Sequence, residues 1–142
     1  MQREEILAGV PIFSGLGRKH LKRLSKLMVP RSFKAGDVIV KEKDQPAGFF
    51  VIASGKVEVV RGAGGDKPQV LATLGPRDFF GEMALFEGYP RSATVRALED
   101  TECLAMTRWD FRAELTSRAE VAVAVLETVV RRLRDTDARL TE

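Results

Sequence analysis

The sequence has little with which to do redox, metal or covalent chemistry. Cys103 is its only cysteine, so no internal disulfide can form and a reducing compartment is expected. That residue lies in an apolar strand pattern, where a packed thiol is expected rather than a nucleophile. His20 is the only histidine; set among Arg18, Lys19, Lys22 and Arg23, it reads as a solvated helix residue. Without a group of histidines and cysteines there is no ligand set for a transition metal, which argues against the metal-dependent small β-barrels. No apolar run approaches membrane-spanning length, and Met1-Gln2-Arg3-Glu4-Glu5 does not read as a signal peptide; a cytoplasmic chain with no membrane partner is expected. Excess charge is scarce too. Twenty-three Lys plus Arg against 20 Asp plus Glu leave a formal charge of +3, too small to imply a nucleic-acid partner.

What is present suits one globular domain spanning the 142 residues, 44% hydrophobic and 30% charged. Residues 1–28 read as N-terminal helices. Residues 4–10 form a short helix that Pro11 interrupts, and Pro11 to Leu16 make a turn with apolar anchors. Ser14 and Gly15 are candidates to open the next helix, where Leu21, Leu24, Leu27 and Met28 make an apolar stripe opposite a basic, solvated face. Residues 29–107 read as strands: 29–34, 38–40, 49–53, 57–60, 69–74, 79–80, 93–97 and 102–107. The run Phe49-Phe50-Val51-Ile52-Ala53 is continuously apolar, as for a strand buried on both sides. Short strands punctuated by glycine predict a sandwich, jelly roll or barrel. Residues 108–142 return to helix, a short one over 110–115 and a long one over 120–140 with no Gly or Pro. Leu126, Leu133 and Leu140 recur at sevens, which suits either packing on the chain's own fold or pairing with a second copy. The Arg131-Arg132-Leu133-Arg134 cluster balances the negative end of that helix's dipole.

The most informative stretch is residues 79–95, FFGEMALFEGYPRSATV. Two aromatics end a strand and Gly81 breaks it. Glu82 to Phe86 allow about one helical turn, which Gly88 and Pro90 close; Arg91 and Ser92 then precede a new strand. Outward-pointing amides at the turn's start, close backbone approach at Gly81, the guanidinium fork of Arg91 and the Ser92 hydroxyl all suit an anion. Glu82 would repel an anion alone, but an ionised carboxylate accepts from hydroxyls, so a ligand carrying both phosphate and hydroxyl would use it. The competing reading has Glu82 cap the turn by charge and pair with Arg91.

The string FGEMALFEGYPRSATV closely resembles the phosphate-binding cassette of cyclic nucleotide-binding domains. These occur in bacterial catabolite activators, protein kinase A regulatory subunits and cyclic nucleotide-gated channels. The resemblance extends over nearly the whole chain, including Ile12 to Leu16 and the glycine turns at Gly36 and Gly55. It implies a mainly β fold with flanking helices, a jelly-roll β-roll closed by the long C-terminal helix. It implies cAMP, or cGMP, as the ligand of a regulatory receptor module and no other cofactor. Glu82 and the backbone near Gly81 would meet the ribose; Arg91, Ser92 and the amides near Ala84 would meet the cyclic phosphate. Val59, Leu71, Leu74 and Met83 would line the base, with Thr136 reaching the base and Arg132 the ribose side from the long helix as a lid. Asp137 departs from the serine that bacterial activators carry at that point. Ser92, where cGMP-selective members often have Thr, leans toward cAMP. Family members often pair through the long helix, so a homodimer is implied. Only Thr141 and Glu142 follow Leu140, so the chain would be a free-standing receptor or a piece of a larger protein, without the DNA-binding, kinase or pore parts that members carry. A β-roll serving only for protein interaction or dimerisation is the alternative; Glu82, Arg91 and Ser92 occurring together weigh against it. An enzyme acting on nucleotides would need a nucleophile–base pair or a metal, and none is apparent.

Overall fold

The computed structural model describes residues 3–45, 48–88 and 90–141, with side chains through Ala138. Tyr89 and the Leu140 side chain, each part of an expected feature, lie outside the described residues. The chain divides into two compact units, Met28–Trp109 and the pair of segments Met1–Leu27 and Asp110–Glu142.

The first unit holds the strands: β1 (Val29–Phe33), β2 (Val38–Val40), β3 (Gly48–Ser54), β4 (Val57–Arg61), β5 (Gln69–Leu74), β6 (Phe79–Phe80), β7 (Thr94–Ala97) and β8 (Thr101–Thr107). They make two four-stranded sheets, ordered β1-β8-β3-β6 and β2-β7-β4-β5, with every pairing antiparallel. This is the two-layered β-roll expected. Its inner cluster draws on both sheets: Ile52, Phe80 and Cys103 from one, Val57 and Val95 from the other. Phe33, Ile39, Val40, Phe50, Val59 and Leu74 pack around it. The Phe50 and Phe80 rings stack at 5.1 Å where β3 meets β6, anchoring the two-residue strand that leads into residues 81–92. The apolar run of β3 is buried over residues 49–52, with Phe49, Val51 and Ile52 fully enclosed and Phe50 half-buried, whereas Ala53, expected to share that burial, is exposed as the strand nears its turn. The β3–β4 turn needs Gly55, which sits at φ +100° with Asp100 O only 2.6 Å from where a Cβ would stand.

The second unit contains α1 (Arg3–Ala8), a 3₁₀ turn (Pro11–Phe13), α2 (Arg18–Ser25), most of α3 (Arg108–Ser117) and α4 (Ala119–Thr141). Gly17, not Ser14 or Gly15, precedes α2. Ser14 instead donates to Pro11 O at 2.8 Å, closing the 3₁₀ turn. Phe13 and Phe111 meet edge to face at 5.7 Å, and Leu7, Val10 and Leu24 are buried in the same unit. His20 is half-buried rather than solvated, because its Nδ1 lies 2.6 Å from Arg23 Nη2, and Arg23 in turn pairs with Glu114 of α3. On α4 the buried stripe is Val121, Val125 and Thr128, at helical spacing. The sevenfold residues Leu126 and Leu133 fall off that stripe and are each 61% exposed.

Candidate functional site

The site is built where β6 ends. Gly81 adopts φ +82°, a left-handed conformation that turns the chain out of the sheet and into a 3₁₀ turn over Glu82–Leu85. The expected single helical turn is therefore tighter than α. Its first bond runs from Ala84 N–H to Gly81 O at 3.0 Å, so that amide already has an acceptor. A side chain at residue 81 would also run into the Arg91 guanidinium. The backbone angle is what favours glycine there, and any side chain would in addition have to displace the end of Arg91.

Arg91 is held from three directions. Its Nη2 donates to Gly48 O at 2.6 Å. Its backbone N–H donates to Asp44 O at 2.8 Å, and its carbonyl accepts from Lys43 N–H at 2.7 Å. The side chain is half-buried, and loss of solvent pushes its pKa down from the ordinary value. A guanidinium stays charged in a protein, so this is a cation deprived of water, and an anion placed against it restores part of what burial removed.

Around Arg91 lies a cleft of about 420 Å³, lined by Phe79, Phe80, Gly81, Glu82, Met83, Ala84, Glu87, Pro90, Arg91 and Ser92. Glu82 Oε2 is buried and Ser92 is exposed. Ala84 is buried under the turn, while Met83 is 66% exposed and offers an apolar surface at the rim. A half-buried cation, two carboxylates, Glu82 and Glu87, and the Ser92 hydroxyl in a cleft of this size suit a small ligand with both an anionic group and a hydroxyl.

Six of the expected site residues line this cleft: Gly81, Glu82, Met83, Ala84, Arg91 and Ser92. Val59 and Leu74 instead pack on the inter-sheet cluster, which shares Phe80 with the cleft. Leu71 is 40% exposed on β5. Arg132 and Thr136 lie on α4, in the other unit, and Thr136 Oγ1 donates to Arg132 O at 3.0 Å. Sequence reasoning did not assign Phe79, Phe80, Glu87 and Pro90 to the site, although all four flank or interrupt the residues it singled out. It also missed Lys43, Asp44 and Gly48, the partners of Arg91, which sit more than 40 residues earlier and carry no local signal. Among the described residues no group of three or more His, Cys, Asp or Glu could hold a metal ion.

The chain belongs to the cyclic nucleotide-binding domain family, whose model matches residues 30–118. It is 35% identical over 134 residues to the cyclic AMP receptor protein of Thermus thermophilus, covering 94% of this chain and 62% of that one. It is 30% identical over 139 residues to a CRP-like cAMP-activated global transcriptional regulator of Mycobacterium tuberculosis, covering 98% and 62%. In structure it is similar to the N-terminal domain of a transcriptional regulator from Streptomyces coelicolor A3(2), with TM-score 0.86, 34% identity, and 94% and 93% of the two chains covered. The chain thus spans 62% of the length of the two curated relatives. The family is one of binding domains, and the two bacterial relatives that carry it are regulators. Among the described residues, no helix is long and apolar enough to cross a membrane.

Proposed function

We propose that this chain binds cAMP as the sensing module of a cytoplasmic regulator, and that binding repositions α4. The observation that carries the reading is the desolvated Arg91 guanidinium sharing one cleft with Glu82 and Ser92. The cyclic phosphate takes Arg91 and Ser92, with the backbone near Ala84. The ribose hydroxyl donates to Glu82 Oε2, close to the Gly81 backbone. Met83 and the apolar side chains of Val59, Leu71 and Leu74 serve the base; from α4, Thr136 meets the base and Arg132 the ribose side. The family's cassette and the two bacterial relatives, a cyclic AMP receptor protein and a cAMP-activated regulator, support cAMP as the ligand.

The whole of residues 1–142 acts as one binding module in this reading. Its exposed α4 face, with Val123, Leu126, Val130 and Leu133, supports pairing with a second copy.

Titration calorimetry of the purified chain with cAMP and with cGMP tests the assignment. Saturable binding of cAMP, tighter than that of cGMP, is expected. Ser92 can still donate to either base, so the preference is modest. If cGMP displaces labelled cAMP at equal or lower concentration, the preference is wrong. If neither nucleotide binds, the chain is an interaction module built on the same roll.

A further inference from the structure

The turn over residues 41–44, between β2 and β3, is tied into the structure at every residue. Asp44 N–H donates to Lys41 O at 3.1 Å, closing the turn. Lys43 sits at φ +75°, a left-handed conformation that is costly for any residue with a side chain. Lys43 and Asp44 make the two backbone bonds to Arg91 described above. Glu42 lies between these bonds and the rest of the roll. Its N–H donates to Oγ1 of buried Thr94, at 3.0 Å, three residues beyond Arg91. Its Oε1 accepts from Gly62 N–H at 2.9 Å, at the β4–β5 hairpin.

We propose that Glu42 is a positioning residue for Arg91: by bridging the β4–β5 hairpin and β7 it holds the left-handed turn that fixes the arginine's backbone, and so sets nucleotide affinity from outside the cleft. The inference rests on the reading of the cleft as a nucleotide site. The physical argument is that a strained turn persists only where its surroundings over-determine it. Removing the carboxylate leaves the hairpin amide without this acceptor and frees the turn to relax. Arg91 N–H and C=O move with the turn, and the guanidinium moves with them. Glu42 is absent from the cleft lining, so its effect on a ligand has to pass through Arg91.

Affinity for cAMP, measured by calorimetry, tests this. Glu42→Ala is expected to weaken binding about fivefold, the scale on which residues remote from a ligand modulate its site. Glu42→Gln keeps an Oε1 acceptor for Gly62 and is expected to restore affinity to within about twofold of the unaltered chain, as isosteric retention of one neutral hydrogen bond allows. Lys43→Gly takes the left-handed angle without strain and is expected to bind at least as tightly as the unaltered chain, whereas Lys43→Val, β-branched at positive φ, is expected to bind more weakly. A purely structural role would lower affinity equally whatever stands at residue 91. Routing through Arg91 predicts that Glu42→Ala weakens binding less in an Arg91→Lys background than it does alone. Should Glu42→Ala fail to fold, the Lys43 pair carries the same test. If the unaltered chain binds cAMP while Glu42→Ala, or Lys43→Val, leaves affinity unchanged, this inference is overturned and the site assignment stands. If Glu42→Ala weakens binding equally in both backgrounds, Glu42 supports the fold and does not position Arg91. No binding of either nucleotide by the unaltered chain overturns the site assignment, and this inference with it.

Discussion

Arg91 carries five N–H donors, and one of them is already committed to Gly48 O. That bond fixes the plane of the fork, and a phosphate can take two of the remaining donors in parallel. Truncating one member of a desolvated charged pair costs on the order of 2–5 kcal/mol. Arg91→Ala is therefore expected to weaken cAMP binding at least about tenfold, which needs only ~1.4 kcal/mol. Arg91→Lys, which keeps the charge and loses the fork, should fall between. Calorimetry on folded variants decides it, and unchanged affinity in Arg91→Ala would sink the cleft as an anion site. Cys103 makes a separate prediction at this scale. Burial, with a smaller contribution from the Glu102 carboxylate and opposition from Arg31, pushes its thiol up from 9.0 to about 11. The folded chain thus keeps this proton after the unfolded chain has released it. The contribution to stability is full below about pH 9, is lost as pH rises toward about 11, and is absent above that. Urea unfolding between those limits should lose up to ~1.4 kcal/mol per pH unit through this group. Cys103→Ala should flatten that slope; parallel profiles for the two proteins would show that the thiol is not the source.

Among the elements, the turn Gly75-Pro76-Arg77-Asp78 introduces the site. Pro76 sets its first central angle and Arg77 takes the second at φ +74°, where glycine is the usual occupant of such a turn. Arg77 N–H donates to Ile52 O and Ile52 N–H to Asp78 O, both at 2.8 Å, which fastens the turn to β3 just before β6. Arg77→Gly relieves the strained angle but adds disorder to the unfolded chain, so it should be neutral to stabilising by up to about 1 kcal/mol. Arg77→Val should cost about 1–3 kcal/mol. Urea midpoints measure both, and a Val variant as stable as the Gly variant would mean that the turn yields without strain. The same elements show what the sequence made legible. Residues 79–95 could be read because the chemistry is contiguous: a strand end, a glycine, a short turn and an arginine lie within one stretch. The strands of the roll were readable from apolar runs between glycine turns. The support of Arg91 was not readable, because Gly48 stands 43 residues away and offers only a carbonyl. His20 was misread for a related reason: the Arg23–Glu114 pair that encloses it spans 91 residues. On α4 the leucines at sevens drew attention, yet the buried stripe is Val121, Val125 and Thr128, spaced by four and three, so it has the same period and lies on a different face of the helix from Leu126 and Leu133.

For the whole molecule, the question is how occupancy of the cleft is reported. The helix α4 runs 23 residues and keeps Val123, Leu126, Val129, Val130 and Leu133 exposed. A ligand shifts a conformational equilibrium only by its difference in affinity for the two states. In the proposed mechanism the phosphate and ribose, gripped by Arg91 and Glu82, bind both states alike. The base supplies the difference by meeting Thr136 and the surface around Leu133 in one state alone. Thr136 Oγ1 now donates to Arg132 O within its own helix, and a base able to accept would compete for that donor. Hydrogen exchange reads this directly, since amide protection reports local opening. Saturating cAMP is expected to slow exchange over residues 81–91 and also over residues 126–140. Thr136→Val keeps the shape of the side chain and removes its donor, so it should spare protection of the first segment and diminish that of the second. Arg91→Ala should lose both together, because the anchor is common to them. Protection confined to residues 81–91 at saturation would mean that α4 does not answer the ligand. The module would then be a static nucleotide binder, and its signal would have to leave through the β-roll itself.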